Sequence, residues 1–130
     1  MSNRRPERIY GIVVRDHQLL LTEHDGRFGL PGGIFRPLAE DPKVELAVHL
    51  FDQIGIRPTR IWAQGAFLYQ HPSETSEAFS GFYTVWDWDG VPTDDAGHWI
   101  DKRGLLEYTL SPSLRILLLS VLETEAIKTR

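Results

Sequence analysis

The sequence predicts an α/β (α+β) domain, a mixed β-sheet packed with helices, on three observations. Short runs rich in β-branched and aromatic residues lie on both sides of an amphipathic helical pattern at 42–54. The pairs Asp41-Pro42 and Ser111-Pro112 each precede a helical apolar pattern, with a capping oxygen followed by proline at the first helical position. Turn residues separate the apolar runs, and the resulting order of elements is that of a sheet with helices on it. The 130 residues, 42% hydrophobic and 25% charged, fit one domain over 1–130 with a single core. Residues 1–8, with Arg4, Arg5 and Arg8, are expected to form a solvated, flexible tail.

Taken in order, Ile9–Val14 and Leu19–Thr22 read as a hairpin, separated by Asp16-His17-Gln18. Asp25-Gly26-Arg27 is a turn signal, and Leu30-Pro31-Gly32-Gly33 reads as a sharply bent loop. A helix follows from about Pro42 to Ile54, stopped by Gly55. Its apolar stripe is Ala47, Leu50, Phe51 and Ile54, widened by Val44, Leu46 and Val48. Glu45, His49, Asp52 and Gln53 share the opposite face. Thr59–Trp62 and Ala66–Gln70 read as one strand bent at Gly65, and Phe79–Trp88 as a strand buried on both faces. Gly97-His98-Trp99-Ile100 is a short run before a helical turn around Leu105–Tyr108. The last helix opens at Ser111-Pro112 and turns Leu114, Leu117, Leu118, Val121 and Leu122 to one side.

Composition excludes several function classes. A net charge of −4, from 14 basic and 18 acidic residues, gives no long-range attraction to nucleic acid or anionic membranes. The absence of cysteine removes disulfides, thiolate metal sites and a cysteine nucleophile. No apolar run approaches the ~18 residues of a membrane helix, and the first residues carry no apolar stretch of a signal peptide. The cytoplasm is the expected compartment.

The informative segment is Leu30–Ile56. A glycine turn leads into a helix whose polar face carries carboxylates and an imidazole. Such an arrangement suits a divalent cation held between backbone carbonyls and side chains. Arg27 and Arg36 flank the turn and are candidates to meet phosphates, and Phe35, Tyr69 and Trp99 lie where a base could stack. The segment 71–77 reads as a polar connection between strands.

Leu30-Pro31-Gly32-Gly33, then Glu40, then a helix ending Ile54-Gly55-Ile56, resembles the Nudix box, and the flanking strands and Gly97-His98-Trp99 extend the resemblance over most of the chain. It implies an α/β/α sandwich and a hydrolase that cleaves the pyrophosphate linkage of a nucleoside diphosphate derivative with Mg²⁺ or Mn²⁺. Gly33, Glu40, His49, Asp52 and His98 fall at or near its metal positions, and His49, Asp52, Gln53 and Glu45 are the candidates for its catalytic face. The loop from Gly33 to Glu40 is one residue longer than in the family pattern. Glu40 takes the first glutamate position, Val48 stands at the family arginine, His49, Gln53 and His98 at family glutamates, and Asp52 keeps a carboxylate one methylene shorter. Mg²⁺ requires anionic oxygen ligands, so these changes weaken the expected metal cluster.

Two repairs are open at this level. Glu45, one helical turn before His49, supplies a displaced carboxylate, or His49, Asp52 and His98 converge on one transition ion, since imidazole suits Zn²⁺, Mn²⁺ or Fe²⁺. The alternative function is a catalytically silent module that binds a nucleotide-like small molecule, and a homodimer is compatible with either.

Overall fold

The computed structural model describes residues 5–93, 97–108 and 110–128, with side chains described as far as 125. The opening hairpin pairs β1 (Arg8–Arg15) with β2 (Gln18–His24). Its two turn residues, Asp16 and His17, have φ of 48° and 64°, the mirror-type turn that matches the twist of the flanking strands. Asp25 and Gly26, at φ 51° and 82°, repeat the device and lead into β3 (Arg27–Gly29), antiparallel to β2. The sequence signals the turn but not this short strand, which carries no periodicity of its own.

The expected bent loop at Leu30–Gly33 is corrected by β4 (Gly32–Ile34), which pairs antiparallel with the first half of β1. Gly32 has φ 148°, and a Cβ there would lie 2.2 Å from the Ile9 carbonyl oxygen. The glycine therefore permits the approach of two backbones.

β5 (Arg57–Tyr69) is one continuous strand, irregular between Ala63 and Gly65, antiparallel to β6 (Ala78–Asp89). β6 runs parallel to β1, and β7 (His98–Ile100) is antiparallel to β2. The seven-stranded sheet has the order β3-β2-β1-β6-β5, with β4 on β1 and β7 on β2. A short helix, α2 (Lys102–Leu105), starts earlier than its apolar residues suggest. The Asp101 carboxylate accepts from the Gly104 N–H at 2.8 Å and caps it there. In α3 (Pro112–Lys128) the Ser111 hydroxyl oxygen accepts from the Leu114 N–H at 3.3 Å.

The sheet separates two cores. On one side Ile9, Val13, Leu20 and Val85 pack against Leu46, Leu50 and Ile54 of α1 (Pro42–Ile54). On the other, Tyr10, Ile12, Val14, Leu21 and Phe82 pack against Leu114, Leu118 and Val121 of α3. The alternation along β1 assigns its residues to the two faces in turn. A Cβ on Gly11 would stand 3.3 Å from the Leu50 methyls, so a bare position lets α1 lie close to the sheet.

The ends of α1 match expectation. The Asp41 carboxylate accepts from the Lys43 N–H, and Gly55 sits in the left-handed region at φ 77°. Its buried stripe is narrower than the apolar pattern: Val44, Val48 and Phe51 are exposed, whereas Glu45 is buried. The expected tail is also shorter. Arg8 opens β1, and the Arg5 guanidinium donates to the carbonyls of Arg36 and Ala39. Arg4 lies outside the described residues. Among the described residues no helix is long and apolar enough to cross a membrane.

Candidate ligand-binding cleft

Along α1, Glu45, His49 and Gln53 recur every four residues and so share one face. Each holds one position of the facing segment 32–36. Gln53 clasps Gly32 from both sides: its Oε1 accepts from the Gly32 N–H at 3.0 Å, and its Nε2 donates to the Gly32 carbonyl at 2.7 Å. One turn earlier, His49 Nε2 lies 2.9 Å from the Ile34 carbonyl oxygen. That oxygen can only accept, so Nε2 carries the proton. A Cβ on Gly33 would lie 3.0 Å from the His49 ring, so the ring fits because Gly33 is bare. One turn earlier again, the Arg36 guanidinium donates to both Glu45 oxygens, at 2.7 and 3.0 Å. Those bonds, against the opposing effect of burial, hold the Glu45 carboxyl below its ordinary range.

Past this ladder lies a cavity of about 310 Å³, whose lining includes Arg8, Tyr10, His24, His49, Gln53 and His71. His71 also lines a second cavity of about 700 Å³, with Arg27, Phe28, Tyr69, Glu107 and Tyr108. His71 is buried, and its ring stacks on Tyr10 with centroids 5.0 Å apart. Its Nε2–H donates to the Leu30 carbonyl at 2.9 Å, and its Nδ1 accepts from the Ser73 N–H at 3.1 Å. Both nitrogens are thus engaged in the neutral form, and burial pushes the ring's pKa down to about 4. A Cβ on Gly29 would lie 2.9 Å from His71 Nε2, so that glycine makes room for the ring. His24 stands edge-on to His71 at 4.5 Å. The Thr22 hydroxyl donates to the Gly29 carbonyl and accepts from His24 Nε2. Burial lowers the His24 pKa, against the opposing charge of Asp25. Burial likewise raises the Tyr10 hydroxyl to about 12. Arg8, at the rim, pairs with Glu74 at 2.7 Å.

The residues singled out in the sequence are dispersed. Gly33, His49 and Gln53 line the smaller cavity, and Arg27 and Tyr69 the larger. Glu45 and Arg36 are tied to each other. Asp52 and Glu40 are exposed and line neither cavity. Phe35 is buried in the core under α1, with the Arg5 guanidinium 3.8 Å from its ring centroid. Trp99 packs on that same side, between Trp88 and the Arg15 guanidinium. His98 pairs with Leu21 and therefore faces α3, edge-on to Phe28 at 5.0 Å. His49, Asp52 and His98 accordingly do not converge. Arg8, His24 and His71 were not singled out as site residues. His71 lies in a segment that reads as a polar connection, and nothing periodic marks its burial.

No protein-family model and no curated protein matches the chain. Solved structures do. The MutT NUDIX hydrolase of Burkholderia pseudomallei superposes with a TM-score of 0.70 at 20% identity, over 89% of this chain and 97% of that one. The chain has the Nudix fold. The MutT protein of Bacillus halodurans gives 0.71 at 20% identity over 91% and 82% of the two chains. The E. coli ORF135 protein gives 0.70 at 21% over 94% and 91%.

A Nudix fold raises the question of a divalent metal, and the residues present do not fit one. Two carbonyls of the glycine segment, Gly32 and Ile34, are capped by N–H donors from Gln53 and His49. A donor hydrogen occupies one lone pair of a carbonyl and brings positive charge to where a cation would sit. Glu45 is neutralised by Arg36, which removes the displaced carboxylate. Among the described residues no group of three or more His, Cys, Asp or Glu side chains is placed to hold a metal ion.

Proposed function

We propose that this Nudix-fold domain binds a nucleoside diphosphate derivative, or a nucleotide of similar size, across the two cavities that share His71 and releases it intact. The observation that carries this reading is the ladder on α1: Glu45, His49 and Gln53 spend their polar groups on the cleft wall rather than on a metal cluster. Magnesium-assisted pyrophosphate cleavage needs cations to offset the charge that develops on the phosphates. Of the carboxylates that line the two cavities, Glu74 is paired with Arg8 and Glu107 stands in the larger cavity, away from the glycine segment and α1. The cleft still offers what recognition requires: a concave space, aromatic walls at Phe28, Tyr69 and Tyr108, and Arg27 at its edge.

In this role Arg27 meets an anionic group, Tyr69 and Tyr108 flank a ring, and His71 divides the ring's side of the cleft from the side under α1. The test is a panel of nucleoside diphosphate derivatives, dinucleoside polyphosphates and nucleoside triphosphates, assayed for binding and for product with Mg²⁺, Mn²⁺ and Zn²⁺ in turn. Saturable binding without product supports the proposal. Arg27→Ala should weaken that binding about fivefold, the effect of one partly solvated charge contact. Metal-dependent turnover that Asp52→Ala abolishes would establish a hydrolase working through Asp52 instead.

A further inference from the structure

The rungs of the α1 ladder meet the facing segment at every second residue: Gln53 at 32, His49 at 34, Glu45 at 36. The match is geometric. Four residues of helix rise about 6 Å and two residues of strand about 6.6 Å, so the rungs at 32 and 34 stay in step, and the long Arg36 side chain completes the third beyond the end of β4. All three rungs are hydrogen bonds or an ion pair between protein groups, and none leaves a carbonyl of Gly32 or Ile34 without a donor.

We propose that this ladder is a built-in substitute for a bridging cation. Gln53 is its positioning residue: its amide makes, between α1 and the Gly32 carbonyl, the cross-link that a divalent ion would otherwise make. The inference rests on the metal-free reading of the cleft and adds a specific consequence. An amide can both donate and accept, so it satisfies the Gly32 N–H and C=O together. A carboxylate can only accept. In Gln53→Glu the new oxygen and the Gly32 carbonyl would face each other as two acceptors, which a divalent cation satisfies and a neutral donor no longer does. The exchange of an amide for a carboxylate therefore converts a metal-indifferent wall into a metal-dependent one.

The experiment is thermal unfolding of the full chain in EDTA, in millimolar Mg²⁺ and in millimolar Mn²⁺, with bound Mn²⁺ counted independently by electron paramagnetic resonance. No nucleotide is present, so the outcome does not depend on whether the ligand reading holds. Wild type should unfold at one temperature in all three buffers and bind no Mn²⁺. Gln53→Glu should lose about 2–4 °C in EDTA, the effect of one lost, solvent-exposed hydrogen bond. It should recover that loss in Mn²⁺ and bind the ion. Gln53→Ala should lose stability with no recovery. His49→Glu provides an independent carboxylate at the next rung and should gain Mn²⁺ binding even if Gln53→Glu does not fold. Wild type stabilised by Mn²⁺ as much as the variant would overturn the metal-free reading and the inference with it. An inert wild type, with neither carboxylate variant gaining the ion, would overturn the inference alone.

Discussion

His71 is neutral because both ring nitrogens are engaged and the ring is buried against Tyr10. Its pKa falls from 6.5 in an unperturbed chain to about 4 in the fold. Between those values the unfolded chain binds the proton and the folded chain does not, so stability drops as pH falls through that window and the effect is absent above it. The stability gap between wild type and His71→Phe should therefore narrow between about pH 6.5 and pH 4, as read by Tm across a pH series. Glu45 has the opposite chemistry and the same direction. Arg36 lowers its carboxyl pKa, so the pair stabilises the fold above the ordinary carboxylate range and fades as pH falls through the lowered value. Glu45→Gln should be less stable than wild type at neutral pH, and the gap should close in strong acid. Little of this was legible in the sequence. Glu45 and Arg36 could be noted as candidates, but their pairing depends on the path of the loop between them.

At the scale of elements, the glycines around the cleft differ sharply in what they permit. Gly26 has φ 82° with open space around it, whereas Gly32 combines φ 148° with the Ile9 carbonyl 2.2 Å from a built Cβ. Gly26→Ala should cost about 1 kcal/mol from backbone strain alone. Gly32→Ala should cost more, because β4 must leave β1; chemical denaturation measures both. Leu50, fully buried under the sheet, should cost about 2–5 kcal/mol when cut to alanine. Helix α1 was legible because its cap, proline and terminal glycine are local signals. The strands β3 and β4 were not, since three-residue strands exist only through their partners. The exposure of Val44, Val48 and Phe51 escaped the pattern for a related reason. An apolar stripe shows which residues could be buried, while Arg36 and the glycine segment decide which side of the helix is covered.

Over the whole molecule, the order of elements and the terminal signals sufficed to predict a sheet between helices, and the solved structures share that architecture. The cleft was less legible because it is assembled from distant parts. Arg8 comes from β1, His24 from β2, His71 from the loop after β5, and His49 and Gln53 from α1. Only the last two sit in a segment that resembles the Nudix box, and the sequence does not show what their side chains bind. Both hold the glycine segment in place, and the proposed cleft is complete without metal and holds its ligand unchanged. The most direct measurement is calorimetric titration of a nucleoside diphosphate derivative in EDTA and again in Mg²⁺, with the ligand recovered and analysed by chromatography. Equal affinity in both buffers and intact ligand are the predicted result. Binding that requires Mg²⁺, or ligand recovered as cleaved products, would contradict it.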